Sequence, residues 1–394
     1  MNDVWERELE NLLKEDISSV RERERTAFDR LVSPFGNSIV IFGAGNLGRK
    51  ISERLRKDGV EPLAFTDNNS KAWGNLIDGI SVLSPSDAAK KFGKVAAFVV
   101  AIWSPGSHHR YPETAKKLRE FGCIKVVSFV SFFWKYASDF LPNCFMDLPH
   151  KTYSNNEDIK KAFRLMADEE SRENFITQLK WRMIESYDEL PASTSEIQYF
   201  PKHLFTYSKE EVFIDCGAFD GDTILEYTRL VDSNFSRIFA FEPDPINFGK
   251  LHDYVDTLRV EIKTKITLEQ KATGKQKETL SFFTTGTASS VISREGATVI
   301  ESISIDEALQ QQNPTYIKMD IEGSEIDALL GAQKSIENNL PVLAICVYHR
   351  PDHLWKIPLL IHSMSDQYHF FLKAHQEEGW DLVCYAIPTT RLEI

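Results

Sequence analysis

The sequence predicts an α/β protein made of two Rossmann-like domains joined by a helical bridge, and three observations carry that reading. Residues 36–130 alternate strand-like and helix-like stretches: SIVIF, RKISERLRKDG, PLAFTD, VAAFVVAIW and finally KVVSFV. Residues 206–394 repeat the alternation on a larger scale. Each region opens with an apolar strand that runs straight into a glycine turn, GAGNLG in the first and CGAFDGD in the second. Strands separated by helices pair in parallel, because an antiparallel hairpin needs no crossover helix.

At 394 residues the chain is long enough for two domains that each bury a core. Hydrophobic residues make up 42% and charged ones 26%, the balance of a soluble globular protein. The formal net charge of −12 argues against nucleic acid as a partner, because tracking a phosphate backbone needs a clustered surplus of Lys and Arg. The cysteines, Cys123, Cys144, Cys216, Cys346 and Cys384, are odd in number and lack any CxxC pair. Neither a disulfide framework nor a zinc site is indicated. The acidic, helical start MNDVWERELENLLKED has no apolar leader core, and no apolar run is long enough for a membrane span, so a cytoplasmic location is expected.

Residues 1–35 predict one amphipathic helix, with Trp5, Leu9, Leu12, Leu13, Ile17 and Val20 on one side. That face either packs on its own domain or serves a homodimer. Residues 36–150 form the first Rossmann-like domain, whose exit is marked by Pro142 and Pro149. Residues 151–205 form the helical bridge or cap, with Phe163, Leu165, Met166, Phe175, Ile176 and Leu179 as its apolar stripe. Within 206–394, strands are expected at 211–215, 237–241, 265–272, 315–319 and 342–348, then near 368–374 and 381–387 as a closing hairpin.

The second glycine turn is the most informative stretch. Gly217 and Gly221 let a ligand approach the backbone, Asp215 ends the strand as an acceptor for a positively charged amino-acid group, and Glu242 can take both hydroxyls of a ribose. A glycine turn with a ribose-reading acid fits NAD, FAD or S-adenosylmethionine (SAM). Asp215, Asp220 and Asp222 repel a diphosphate, which favours the cationic SAM.

KMDIEGSE follows a strand whose C-terminal end opens on the ligand crevice of an open sheet, so Asp320 and Glu322 face the reacting groups. Ser324 is a candidate cap for the next helix, and Glu325 and Asp327 suit its first turn. VYHRPDHLW ends the following strand. There His349 is the candidate general base, with Arg350 and His353 as secondary grips on an acceptor. The competing readings are that His349 only holds a loop, or that Asp320 and Glu322 hold Mg²⁺.

VFIDCGAFDGDT, FEPDPINFGKL, SISIDEAL, YIKMDIEGSEIDALLGA and VYHRPDHLWKIPLLI occur in the order and spacing of FkbM-type SAM-dependent methyltransferases, and the resemblance spans about residues 195–390. It implies a seven-stranded class I methyltransferase sheet and O-methylation of a hydroxyl on a small-molecule or glycan acceptor, such as a sugar or natural-product precursor. Carried over by position, it implies a SAM turn of Asp215, Gly217, Ala218, Phe219, Asp220 and Gly221, a ribose ligand at Glu242, adenine against Ala272 and a site role for Asp320.

In the first domain Gly43, Gly45, Asn46, Leu47 and Gly48 follow a strand, open a helix and precede Asp67 at the spacing of a dinucleotide site. FTDNNSKAWGNLIDGISVLSPSDA resembles the small Rossmann-like domains of sugar-nucleotide and polysaccharide-biosynthesis proteins. Binding of a nucleotide or nucleotide sugar, an NAD site, and a bare scaffold all stay open. Trp103 and the SPGSHH loop are expected at this domain's crevice, and the adjacent His108 and His109 point differently, against a metal pair. The rival overall reading is a nucleotide-sugar-binding or NAD-dependent protein acting through GAGNLG, with the C-terminal half regulatory. No hydride-transfer pair follows that glycine loop. The acceptor pocket is expected from residues 154–205, 284–295 and 349–355.

Overall fold

The computed structural model describes residues 4–104, 106, 109–187, 189–191, 196–284, 286, 291–292, 296 and 298–393. The chain divides into two compact units. One holds Met1–Asn156, Ile176–Ser193 and Gln376–Trp380; the other holds Glu157–Phe175, Thr194–His375 and Asp381–Ile394.

The first unit carries β1 (Ile39–Phe42), β2 (Ala64–Thr66), β3 (Leu76–Ile77), β4 (Ile80–Leu83), β5 (Ala97–Val100) and β6 (Lys125–Ser128). Among the described residues they form one sheet in the order β3-β4-β2-β1-β5-β6, parallel except for the β3–β4 hairpin. β1 and β5 are apolar throughout and buried on both faces, as central parallel strands must be. Val40, Phe42, Phe98 and Val100 meet Ala115 and Leu118 in the core.

The chain start differs from the single helix expected. It folds as two helices, Val4–Leu12 and Ile17–Val32, because the Asp16 carboxylate accepts from the Ser18 and Ser19 amides at 2.9 and 3.2 Å and so starts a new helix. The apolar face of the second helix is used inside its own unit. Val20, Phe28 and Val32 are buried there, with Phe28 edge-on to Phe132 at 5.0 Å.

The second unit contains β7 (Val212–Cys216), β8 (Arg237–Phe241), β9 (Ile266–Glu269), β10 (Ala272–Thr273), β11 (Glu278–Phe283), β12 (Val291–Ile292), β13 (Thr298–Ile303), β14 (Tyr316–Met319), β15 (Val342–Cys346), β16 (Tyr368–Ala374) and β17 (Leu382–Pro388). Among the described residues the main sheet has seven strands in the order β16-β17-β15-β14-β7-β8-β9. Only β17 runs antiparallel to its neighbours. All seven expected strands are present, the third ending short of 272. From β7 the chain builds outward through β8 and β9, then crosses to β14 and builds the other way. The topological switch point therefore falls between β7 and β14, where open α/β sheets receive ligands at the strand C-termini.

A small sheet of order β10-β13-β11-β12 was not anticipated. Its signal was present: in TVIESI buried Ile300 and Ser302 alternate with exposed Val299 and Glu301, the period of a half-covered strand. Ala272, Phe282 and Ile300 make its core.

Candidate functional site

The turn after β7 is built on a buried charge pair. Parallel register sets Lys318 of β14 beside Asp215 of β7, and its Nζ lies 3.0 Å from Asp215 Oδ1. Lys318 Nζ also donates to the carbonyls of Gly217 at 2.6 Å and Cys216 at 3.3 Å, fixing the first residues of the turn. Burial pushes the Asp215 carboxyl up to about 6, which leaves it ionised at neutral pH opposite the ammonium. Burial works against the Lys318 charge too, but Asp215 and Asp320 outweigh it and hold the amine charged. Asp215, expected as an acceptor at the strand end, is fully buried there and ion-paired with Lys318.

Gly217 has φ +80°, and a Cβ there would sit 2.0 Å from the Asp320 carbonyl oxygen. The end of β14 therefore fills the space a side chain would need. Gly221 has φ +94° and backs onto the Tyr254 ring at 2.5 Å from its would-be Cβ. Ala218 is buried, and Phe219 adopts φ 47° while donating its N–H to Glu242 Oε2 at 3.0 Å. Glu242 Oε1 accepts from the Asp244 amide at 2.9 Å. Burial raises the Glu242 carboxyl to about 7. Asp220 is half-buried on the turn, and exposed Asp222 begins helix Asp222–Leu230.

The second motif gathers against the first. Glu325, fully buried, accepts from the Ile321 amide at 3.0 Å, while Ser324, the expected cap of the next helix, makes no side-chain capping bond. Its Oε1 then accepts from His349 Nδ1 at 2.7 Å, and its Oε2 lies 3.2 Å from His353 Nδ1. On the other face of the imidazole, Nε2 is 3.2 Å from Asp320 Oδ1 and 3.8 Å from Glu322 Oε2. Asp320 Oδ2 accepts from the Tyr199 hydroxyl at 2.7 Å.

Burial alone would discharge His349, but Glu325 and Asp320 reverse that and hold the ring protonated well above its ordinary range. Burial likewise pushes Asp320 and Glu325 up, yet His349 prevails and keeps both ionised below the usual carboxylate range. An imidazolium clamped between carboxylates cannot accept a proton, so the base role expected of His349 is corrected. Among the described residues no group of three or more His, Cys, Asp or Glu could hold a metal ion. Glu322 differs from its neighbours. It adopts φ 54°, its side chain is 35% exposed, and burial raises its carboxyl to about 7.

Lys318 and Tyr199 were missed from the sequence. Lys318 had a readable signal, a lone cation inside the apolar strand YIKM. Tyr199 comes from an irregular segment with none. Ala272 lies in β10, packed in the small sheet's core. In the first unit Gly43 and Gly45 connect β1 to helix Asn46–Lys57, whose first turn holds Asn46, Leu47 and Gly48, and Asp67 Oδ2 accepts from the Ala44 amide at 2.8 Å. Trp103 packs among Phe129, Phe145 and Trp181, with centroids 5.2, 5.3 and 6.2 Å away. His108 and most of segment 284–295 lie outside the described residues.

A mostly parallel sheet with a glycine turn and converging acids at its switch point is the place where open α/β sheets receive ligands. Residues 215–377 match the family model described as methyltransferase FkbM domain. Residues 36–92 match a second model, described as C2185-like, N-terminal. The crystal structure of methyltransferase FkbM from Methylobacillus flagellatus KT is 23% identical with a TM-score of 0.74, covering 98% of either chain, and shares the fold. UDP-D-quinovosamine 4-dehydrogenase from Vibrio fischeri matches 23% of this chain and 75% of its own at 22% identity, with a TM-score of 0.21. Precorrin-6y C5,15-methyltransferase from Geobacter metallireducens GS-15 matches 46% of this chain and 81% of its own at 15% identity, with a TM-score of 0.29. No curated protein matches the chain. Among the described residues no helix is long and apolar enough to cross a membrane.

Proposed function

We propose that the second unit transfers the methyl group of SAM to a hydroxyl of a sugar, glycan or related small molecule. The observation that carries this reading is the pairing of Lys318 with Asp215, which brings the glycine turn and the Asp320–Glu325 motif to the same switch point. The residues there fit SAM. Glu242 sits at a strand end with backbone donors on both oxygens and lone pairs to spare for a ribose diol, and the turn's remaining acids, Asp220 and Asp222, suit a cation rather than a diphosphate. SAM, when bound, supplies an electrophilic methyl carbon on a sulfonium.

An alcohol is scarcely ionised at neutral pH, so methylating it gains from a proton acceptor tuned near 7. Glu322, raised to about 7 and partly open to solvent, meets that need. The His349 imidazolium acts differently, because its Nε2 lies 3.2 Å from Asp320 and its charge balances the carboxylates around it. Calorimetric SAM binding to wild type and Glu242→Ala, combined with S-adenosylhomocysteine release across a panel of sugar and glycan acceptors, tests the reading. No SAM binding by wild type, or undiminished binding by Glu242→Ala, would sink the cofactor assignment; release with none of the hydroxyl acceptors counts against the acceptor class.

A further inference from the structure

We propose, resting on the methyl-transfer reading of the second unit, that Tyr199 is a positioning residue: it holds the Asp320 carboxylate in the orientation that sets His349 beside Glu322. Tyr199 lies in irregular chain ahead of β7, outside both motifs, and is buried in the second unit.

Its backbone is the first sign. Tyr199 adopts φ 68°, the left-handed region that a bulky side chain disfavours, and such strain persists only where the surroundings over-determine it. Two tyrosines of the main sheet do so here. The Tyr385 hydroxyl oxygen, on β17, accepts from the Tyr199 N–H at 3.0 Å, and the Tyr316 hydroxyl, on β14, donates to the Tyr199 carbonyl. Both tyrosines are fully buried, and His375 Nε2, 2.8 Å from the Tyr385 oxygen, fixes that hydroxyl in turn. The sheet thus commits two buried hydroxyls to one strained residue, which fixes where its phenol points.

The side chain is held as firmly. Gln198 Nε2 donates to the Tyr199 hydroxyl oxygen at 2.8 Å, which leaves the hydroxyl hydrogen for Asp320 Oδ2 at 2.7 Å. The Lys318 ammonium lies over the ring, 5.1 Å from its centroid. With Oδ2 tethered, Asp320 Oδ1 stays 3.2 Å from His349 Nε2 and accepts from the Tyr348 hydroxyl at 3.4 Å. The same His349 nitrogen lies 3.8 Å from Glu322 Oε2. Asp320 is therefore the joint between the phenol and the proposed proton acceptor. Around Glu322 the Asp320, Glu325 and Asp381 carboxylates oppose its ionised form, the His349 charge favours it, and Arg350 packs on the neighbouring Gly323. Without the phenol the Asp320 carboxylate is free to turn, and the imidazolium loses a fixed counter-charge.

The test compares the full chain with Tyr199→Phe, which keeps the ring and both backbone tethers and loses only the hydroxyl. SAM affinity should stay close to wild type and the melting midpoint within about 4 °C of it. Turnover should fall about tenfold with the acceptor KM little changed, the effect of one lost bond to a charged group. The midpoint of the pH–rate rise should move upward, as Glu322 feels a less firmly placed imidazolium. Imidazole resonances should show the His349 ring titrating at lower pH in the variant, because Asp320 supports its charge less. That readout needs no acceptor, so it decides the role of Tyr199 even where no hydroxyl compound is methylated and the methyl-transfer reading fails. An unmoved His349 titration, or wild-type turnover in the variant, overturns the proposal. A Tyr199→Phe chain that fails to fold or melts far below wild type also overturns it, since Tyr199 is then a packing residue.

Discussion

Lys318 Nζ lies 3.0 Å from Asp215 Oδ1, with one side chain 2% exposed and the other fully buried. Two charges removed from water gain little net stability over an apolar pair, but removing one partner strands the other, at a cost of about 3–5 kcal/mol. Lys318→Met should therefore destabilise the second unit by about that amount and weaken SAM binding, since the Gly217 carbonyl loses its donor. Asp215→Asn combined with Lys318→Met should recover part of the loss. Urea unfolding of the two variants checks this, and equal stability of wild type and Lys318→Met refutes it.

Gly217 and Gly249 make a contrasting pair. A Cβ on Gly217 would collide with the Asp320 carbonyl oxygen at 2.0 Å in a left-handed backbone, whereas one on Gly249, inside helix Pro245–Asp256, meets nothing within 4 Å. Gly217→Ala should lower the melting midpoint and abolish SAM binding, because the turn and β14 must separate. Gly249→Ala should gain up to about 1 kcal/mol from helix propensity. Similar melting midpoints for the two would show that the close approach to Asp320 does not exist.

The Glu325–His349 bond sets a pH-dependent stability whose sign is fixed. His349 has its folded pKa raised above the unfolded value, so its contribution is complete below about 6.5 and fades as pH rises through the folded value. Glu325→Gln removes the strongest partner and should destabilise the protein more at pH 6 than at pH 9. Imidazole resonances report it directly: the His349 ring should still be protonated at pH 8 in wild type and titrate lower in the variant. A neutral His349 ring at pH 7 in wild type would restore it as a candidate base.

The main sheet was legible because its strands are apolar runs with glycine turns between them, a pattern written locally. The closing of the two motifs on each other was only half written. Asp215 and Asp320 could be placed at strand ends, but that Asp215 faces Lys318 is a matter of register between strands far apart in sequence. His349 was assigned by its unperturbed pKa, which Glu325 overrides from a helix start whose acid read as ordinary dipole chemistry. Asp16, which breaks the first helix in two, was hidden for a related reason: its capping bonds to Ser18 and Ser19 interrupt an apolar stripe that runs on regardless.

Glu322 carries the last prediction. A proton acceptor works only when ionised, and burial lifts this carboxyl to about 7, so turnover under saturating SAM and acceptor should rise with pH through about 7 and then level. Glu322→Gln keeps the shape and loses the titration. It should reduce turnover by roughly 10²–10⁴-fold, remove the rise near 7, and leave SAM affinity close to wild type, because Glu242 and the glycine turn are untouched. His349→Gln should act differently. It removes the charge that lies 3.8 Å from the Glu322 carboxylate, and so should shift the midpoint of the rise upward rather than erase it. Paired pH–rate profiles of the two variants separate the acceptor from the group that tunes it, and a wild-type profile in Glu322→Gln would transfer the proton to another residue or to water.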